Sequence, residues 1–189
     1  MTANNNTIKP KFKKCKICKS EFQLFRTTQK VCSPNCAIAL ASADTRKKEK
    51  SKHTKAKKEL KDNDRSFQIK KTQQIFNAYI RLRDMGLSCI SCDRHHSGQY
   101  HAGHYRTVGA NPELRFDERN CYKQCSACNN HLSGNLVNYR INLSGRVGMD
   151  TVNWLERNHP PKRYTIANLV TLQRWFNRKT KRLKKEMEL

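Results

Sequence analysis

The chain has 189 residues, enough for one modest domain with extensions or for two small modules. Only 36% of them are hydrophobic and 29% are charged, so a core this small needs staples to hold. The formal net charge of +24 makes a polyanion the expected partner, nucleic acid first and an anionic membrane surface second. No run of about 20 apolar residues exists, which excludes a spanning helix. Residues 1–10 lack the apolar stretch of a secretory signal. A reducing cytoplasm is therefore expected, where paired cysteines read as metal ligands rather than disulfides.

In chain order, residues 1–11 are polar and aperiodic and predict a disordered tail. Residues 12–40 carry a first cysteine group and form a candidate N-terminal zinc module. Residues 41–65 form a basic linker, with nine Lys or Arg against two Glu between positions 46 and 61. Its helix formers allow a solvated helix. A mobile tether is the favoured alternative, and in either form the run is suited to tracking phosphates.

From residue 66 to 150 a main domain is expected. A helix over 66–85 would be capped by Ser66 and stopped by Gly86, with Ile69, Gln73, Phe76, Tyr79, Ile80 and Arg83 on one face. Residues 87–131 hold most of the potential chemistry. A helix follows through Leu136, Val137, Arg140, Ile141 and Leu143, then a short one over 152–157. Residues 151–189 form a basic C-terminal extension. Pro160 and Pro161 break the chain there, and Thr165 caps a last helix with Ile166, Leu169, Val170, Leu172, Trp175 and Phe176 turned inward. Trp154, Trp175 and Phe176 are expected in the core. His53, His95, His96 and His159 read as surface residues.

Eight of the nine cysteines fall into two groups. Cys15-x-x-Cys18 with Cys32-x-x-x-Cys36 is one; Cys89-x-x-Cys92 with Cys125-x-x-Cys128 is the other. Paired knuckles of this spacing bring four thiolates onto one Zn²⁺ ion. Four protein ligands leave no open position, so both sites are expected to be structural. Cys121 is left over.

Between the knuckles of the second group runs Tyr100-His101-Ala102-Gly103-His104-Tyr105-Arg106, followed by Asn120 and Cys128-Asn129-Asn130-His131. A knuckle, a strand-ending His, an Asn before the second knuckle and an Asn after its last Cys resemble the HNH (ββα-metal) endonuclease pattern. More particularly, Cys89-Ile90-Ser91-Cys92, Ala102 to Arg106, Leu114-Arg115-Phe116, Gln124 to Asn129 and Ser133-Gly134-Asn135 resemble the lambdoid phage NinG (Rap) recombination endonuclease family. The Cys32-Ser33-Pro34 knuckle is also similar to that family.

The resemblance implies a small, zinc-stabilised α+β fold with a treble-clef-like HNH core over 66–150, flanked by helices. It implies a phage-encoded DNA endonuclease in the host cytoplasm, acting on Holliday junctions and D-loops and leaving 5′-phosphate and 3′-hydroxyl ends. In this reading His104 is the general base, Asn129 helps hold a catalytic Mg²⁺ or Mn²⁺, and Asn120 fixes the loop that aims His104. A homodimer is expected because two strands must be cut, and other phage recombination proteins are expected partners. One departure stands out: most HNH enzymes place an Asp or His metal ligand just before the base, and here Gly103 stands there. His101 lies two residues earlier, on the same strand face as Gly103, and is the expected substitute. Arg106 and Lys123 are expected to contact phosphate, and His131 is a candidate for phosphate or metal. Rival readings are a non-catalytic zinc DNA-binding protein, a less selective nicking nuclease and, more weakly, an RNA-binding zinc protein.

Overall fold

A computed structural model describes residues 11–188. The tail expected at residues 1–11 lies outside the described residues except for Lys11, whose carbonyl accepts a hydrogen bond from the Leu24 amide. The chain divides into two units, residues 1–60 and 61–189. Among the described residues, no helix is long and apolar enough to cross a membrane.

The first unit opens with a short antiparallel hairpin of β1 (Phe12–Lys14) and β2 (Glu21–Gln23), with Phe12 opposite Gln23. Helix α1 (Pro34–Asp62) begins directly after Cys32. Pro34 takes its first position, where a missing N–H costs nothing, and Ser33 Oγ accepts from the Cys36 amide. The linker, for which the sequence favours a mobile tether, is helical as far as Asp62, with Asn63 and Asp64 outside the helix. No residue of α1 is buried, so the helix rests on local propensity and solvated charge rather than on a packed face.

The second unit packs two layers of side chains on either side of one hairpin. Helix α2 (Arg65–Arg83) starts one residue earlier than expected, because the cap is Asp64 and not Ser66. The Asp64 carboxylate accepts from the amides of both Ser66 and Phe67. Its end is not made by Gly86 either: Asp84 closes it, with its amide bonded to the Ile80 carbonyl. The hairpin follows as β3 (Tyr100–His104) and β4 (Cys121–Cys125), paired antiparallel with His104 opposite Cys121 and Tyr100 opposite Cys125. Then come α3 (Leu136–Val147), α4 (Met149–Glu156) and α5 (Ile166–Glu186), the last capped by Thr165 in a reciprocal box with Asn168.

All five residues of β4 are buried, so the hairpin is covered on both faces. On one face Cys121 and Ala102 join Phe76, Tyr79, Ile80, Phe116, Tyr164, Leu169 and Phe176, contributed largely by α2 and α5. On the other, Tyr122 packs with Ile90, Tyr139, Leu143, Val152 and Leu155. On α3, present where expected, Tyr139 and Leu143 point inward, one turn apart, while Leu136, Val137 and Ile141 are exposed and Arg140 pairs with Glu156. On α5, Trp175 is 47% exposed and Gln173 takes the inner position instead. Gln173 donates to Gln68 Oε1 and Thr72 Oγ1 of α2, satisfying polar groups that would otherwise be costly to bury. The periodicity had placed Gln73, not Gln68 and Thr72, on that face.

Phe76 is fully buried, with its ring within 6 Å of those of His104, Phe116 and Phe176. Phe76→Ala is expected to remove about 3–5 kcal/mol of unfolding free energy. Denaturant titration of the variant against wild type measures this.

Candidate active site and metal centres

The two cysteine groups assemble as the spacing requires. In each, one Sγ from every member lies within 4.8 Å of the others. Measured separations are 3.4 Å for Cys18–Cys32, 3.8 Å for Cys32–Cys36 and 4.0 Å for Cys92–Cys125. Four sulfurs placed tetrahedrally about 2.3 Å from Zn²⁺ are separated by about 3.8 Å, so both groups fit the ion, and neither has a position to spare for substrate.

The first knuckle of each group has the same frame. The Cys15 amide bonds to the Ser20 carbonyl and the Lys19 amide to the Cys15 carbonyl; likewise Cys89 to Arg94 and Asp93 to Cys89. Lys19 and Asp93, each just past the second cysteine, both take left-handed φ values of 64° and 50°. Beside the second group, His96 Nε2 lies 3.2 Å from Cys92 Sγ, while its backbone amide donates to Tyr100 Oη. His96 is exposed, as expected, although it stands beside the thiolate group. His159 is half-buried rather than at the surface: it lies against Trp154, 4.3 Å between ring centres, and bonds to the Trp154 carbonyl.

Asn120 is fully buried just before β4. Its Oδ1 accepts from the Arg106 amide at 2.7 Å, and its Nδ2 donates to the carbonyls of Arg106 and Leu114. The loop after β3 is thereby tied across its base, directly beyond His104.

His104 ends β3 on the face that meets α2. Its Nε2 lies 2.9 Å from the Arg115 carbonyl oxygen. A carbonyl can only accept, so the proton sits on Nε2 and Nδ1 is left bare. Nδ1 has the Cys121 sulfur at 3.7 Å. Burial holds the imidazole pKa below its ordinary 6.5, and the nearby Arg115 charge acts in the same direction against the Arg115 carbonyl bond. The ring is neutral at pH 7.

His101 and Gly103 occupy the other face, as the alternation of a strand requires. His101 Nε2 lies 3.4 Å from Asn130 Nδ2, and Asn129 donates to Asn130 Oδ1 at 2.7 Å. His101 and Asn129 are thus drawn together through Asn130, whereas His101 and His104 point to opposite faces. Among the described residues, no third group of His, Cys, Asp or Glu gathers at metal-ligand distance. His101 and Asn129, the pair expected to hold a dication, have no carboxylate gathered with them among the described residues.

Gly103 has a steric reason. A Cβ there would lie 2.1 Å from Gln124 Oε1. Gln124 is buried, with its amide nitrogen held by Ser91 Oγ at 2.6 Å and the Gly134 carbonyl at 2.5 Å. That carbonyl is presented by a turn in which Ser133, Gly134 and Asn135 all have positive φ. The space that a side chain at position 103 would take is filled by the Gln124 amide.

Lys123 does not serve phosphate contact. It is buried on the α2 face, its Nζ donating to the Met85 carbonyl at 2.9 Å and lying 4.4 Å from the Tyr100 ring centre. Arg106 is half-buried, with its Nε on Asn111 Oδ1 at 3.2 Å, and His131 is exposed at the end of the π-type turn at Ala127–His131.

Residues 7–186 match the profile of the Bacteriophage Lambda NinG protein family. The chain belongs to the NinG family. It is 42% identical over 193 residues to the ninG protein of Escherichia phage 933W, covering 93% of this chain and 96% of that one. To the ninG protein of Escherichia phage lambda it is 41% identical over 195 residues, covering 93% and 95%. To that of Salmonella phage P22 it is 40% identical over 184 residues, covering 88% and 90%. No solved structure matches the chain.

Within this NinG chain, Gly103→Ala should lower the unfolding free energy by about 1–3 kcal/mol through overpacking. Adding Gln124→Ser should recover part of the loss, as a thermal melt of the single and double variants would read. Metal analysis should find two zinc ions per chain. Cys89→Ser should lose one of them together with cooperative melting of the second unit, while Cys121→Ser should keep both.

Proposed function

We propose that the chain is an HNH-type, metal-dependent DNA endonuclease that cuts branched recombination intermediates such as Holliday junctions and D-loops. The reading rests on the tautomer of His104. With Nε2–H committed to the Arg115 carbonyl, Nδ1 carries the lone pair that can take a proton, facing the Cys121 sulfur at 3.7 Å, and burial keeps it unprotonated near neutrality. Nδ1 accepts a proton from the attacking water as the new P–O bond forms. The bond to the 3′ oxygen then breaks, leaving a 5′-phosphate and a 3′-hydroxyl. Asn120 holds the loop that follows the base. A bound Mg²⁺ or Mn²⁺ would stabilise charge on the phosphate and on the departing oxygen, and His101 and Asn129 are the side chains that would hold it. The net charge of +24 supports a polyanionic substrate. The preference for branched DNA comes from the family resemblance alone.

A second reading, a non-catalytic zinc DNA-binding protein, is favoured by one observation: His101 and His104 face opposite sides of β3. Cleavage of a labelled four-way junction and its matched linear duplex, with Mg²⁺ or Mn²⁺, separates the two. The nuclease reading expects cuts at the junction that fall about 10²- to 10⁴-fold in His104→Ala. Binding of both DNAs with no cleavage in either metal establishes the second reading. Equal cutting of duplex and junction gives a less selective nicking enzyme.

The pH profile checks the base itself. An imidazole must be unprotonated to act, and its pKa is depressed. Activity should therefore be complete at pH 7 and fall on acidification through a value below 6.5. A rate unchanged between pH 5 and 8 would remove His104 from that role.

A further inference from the structure

Two aromatic side chains of the first unit lie open to solvent. Phe25 is 88% exposed and Phe12 is 58% exposed. Isolated apolar residues at a surface are ordinary, but these two are related by the hairpin. Phe12 pairs with Gln23, and Leu24 still bonds to Lys11, so the ladder runs to the residue before Phe25. Phe25 lies two residues beyond Gln23, in the bend that follows β2, with its amide donating to Gln29 Oε1, so both rings belong to the same end of the hairpin.

The surroundings are cationic. Between residues 11 and 30 there are seven Lys or Arg and one acidic residue, Glu21. Those seven cations, including Lys14 on the Phe12 face, are all exposed. No acidic side chain pairs with any of them among the described residues. Two exposed aromatic rings at one end of a hairpin, in a segment rich in exposed cations, are the elements that hold unpaired nucleotides. Rings stack on bases whatever their sequence, and lysines follow the backbone phosphates. A duplex presents no open base faces to such rings and would use only the cations.

We propose that the end of the β1–β2 hairpin bearing Phe12 and Phe25 is a binding surface for single-stranded DNA, with the two rings as stacking platforms. The proposal deepens the DNA-directed reading above by naming the form of DNA that this unit takes. It does not depend on His104 or on cleavage.

The test uses the full-length, zinc-loaded chain, with a fluorescent 20-nucleotide oligothymidylate and a 20-base-pair duplex as probes and no Mg²⁺ or Mn²⁺ added. Fluorescence anisotropy at two salt concentrations gives both affinities. The double variant Phe12→Ala/Phe25→Ala should lose about ten-fold or more in affinity for the single strand and much less for the duplex. Phe25→Trp should keep the single-strand affinity. Zinc content equal to wild type establishes that the knuckle is intact in each variant. Equal losses for both probes, or no loss for either, would overturn the proposal; the second result would turn the exposed rings toward a protein partner. Cleavage is read separately, so an inactive His104 leaves this outcome unaffected.

Discussion

Four thiolates gathered within 4.8 Å cannot all carry charge unless a cation sits among them. In the second unit this constraint fixes the rest. Cys89 and Cys92 precede the hairpin, while Cys125 ends β4 and Cys128 follows in the next turn. Closing the four sulfurs on one ion therefore sets where β3 and β4 begin and end. The Cys125 amide bonds to Cys89 Sγ, carrying the ion's position into the strand itself. With the ends pinned, the register that places His104 opposite Cys121 has no freedom to slip. The two aromatic layers are then laid against a frame already set. A chain with so little apolar content has few other ways to hold a buried five-residue strand.

How much could be read in advance follows the range of the interactions. The cysteine groups were legible because metal geometry acts through short, fixed spacings. The strand ending at His104 and the backbone bridge at Asn120 were legible through the family resemblance rather than through spacing. Caps were less so: Asp64 and Ser66 are both good caps, and only the backbone decides that the carboxylate reaches two amides. On α5 the expected Leu169 and Phe176 are buried, but the rest of the face is not set by hydrophobicity alone. Apolar residues such as Val137 and Trp175 are left outside, while Gln173 finds polar partners within. Lys123 was beyond reach of any local reading, since its burial depends on a carbonyl 38 residues earlier in the chain.

The hairpin has two unlike sides. Toward α2 it carries His104, Cys121 and the aromatic cluster, a dry setting that keeps an imidazole neutral and fixes its tautomer. Toward α3 it carries His101, Gly103 and Gln124, a more polar side that runs into the asparagines after the last cysteine. Chemistry that needs a base and a metal ligand together has to draw on both sides of one strand.

The contact between Gly103 and Gln124 links two positions 21 residues apart so that neither can vary alone. A larger residue at the first position requires a smaller one, or a different rotamer, at the second, and the anchors on Ser91 and Gly134 hold the rotamer in place. Across NinG relatives the two positions should therefore covary, with glycine at one accompanying glutamine at the other. A lineage that acquired a carboxylate ahead of the strand-ending histidine would have had to clear the glutamine first, and the order of those two steps is set by packing.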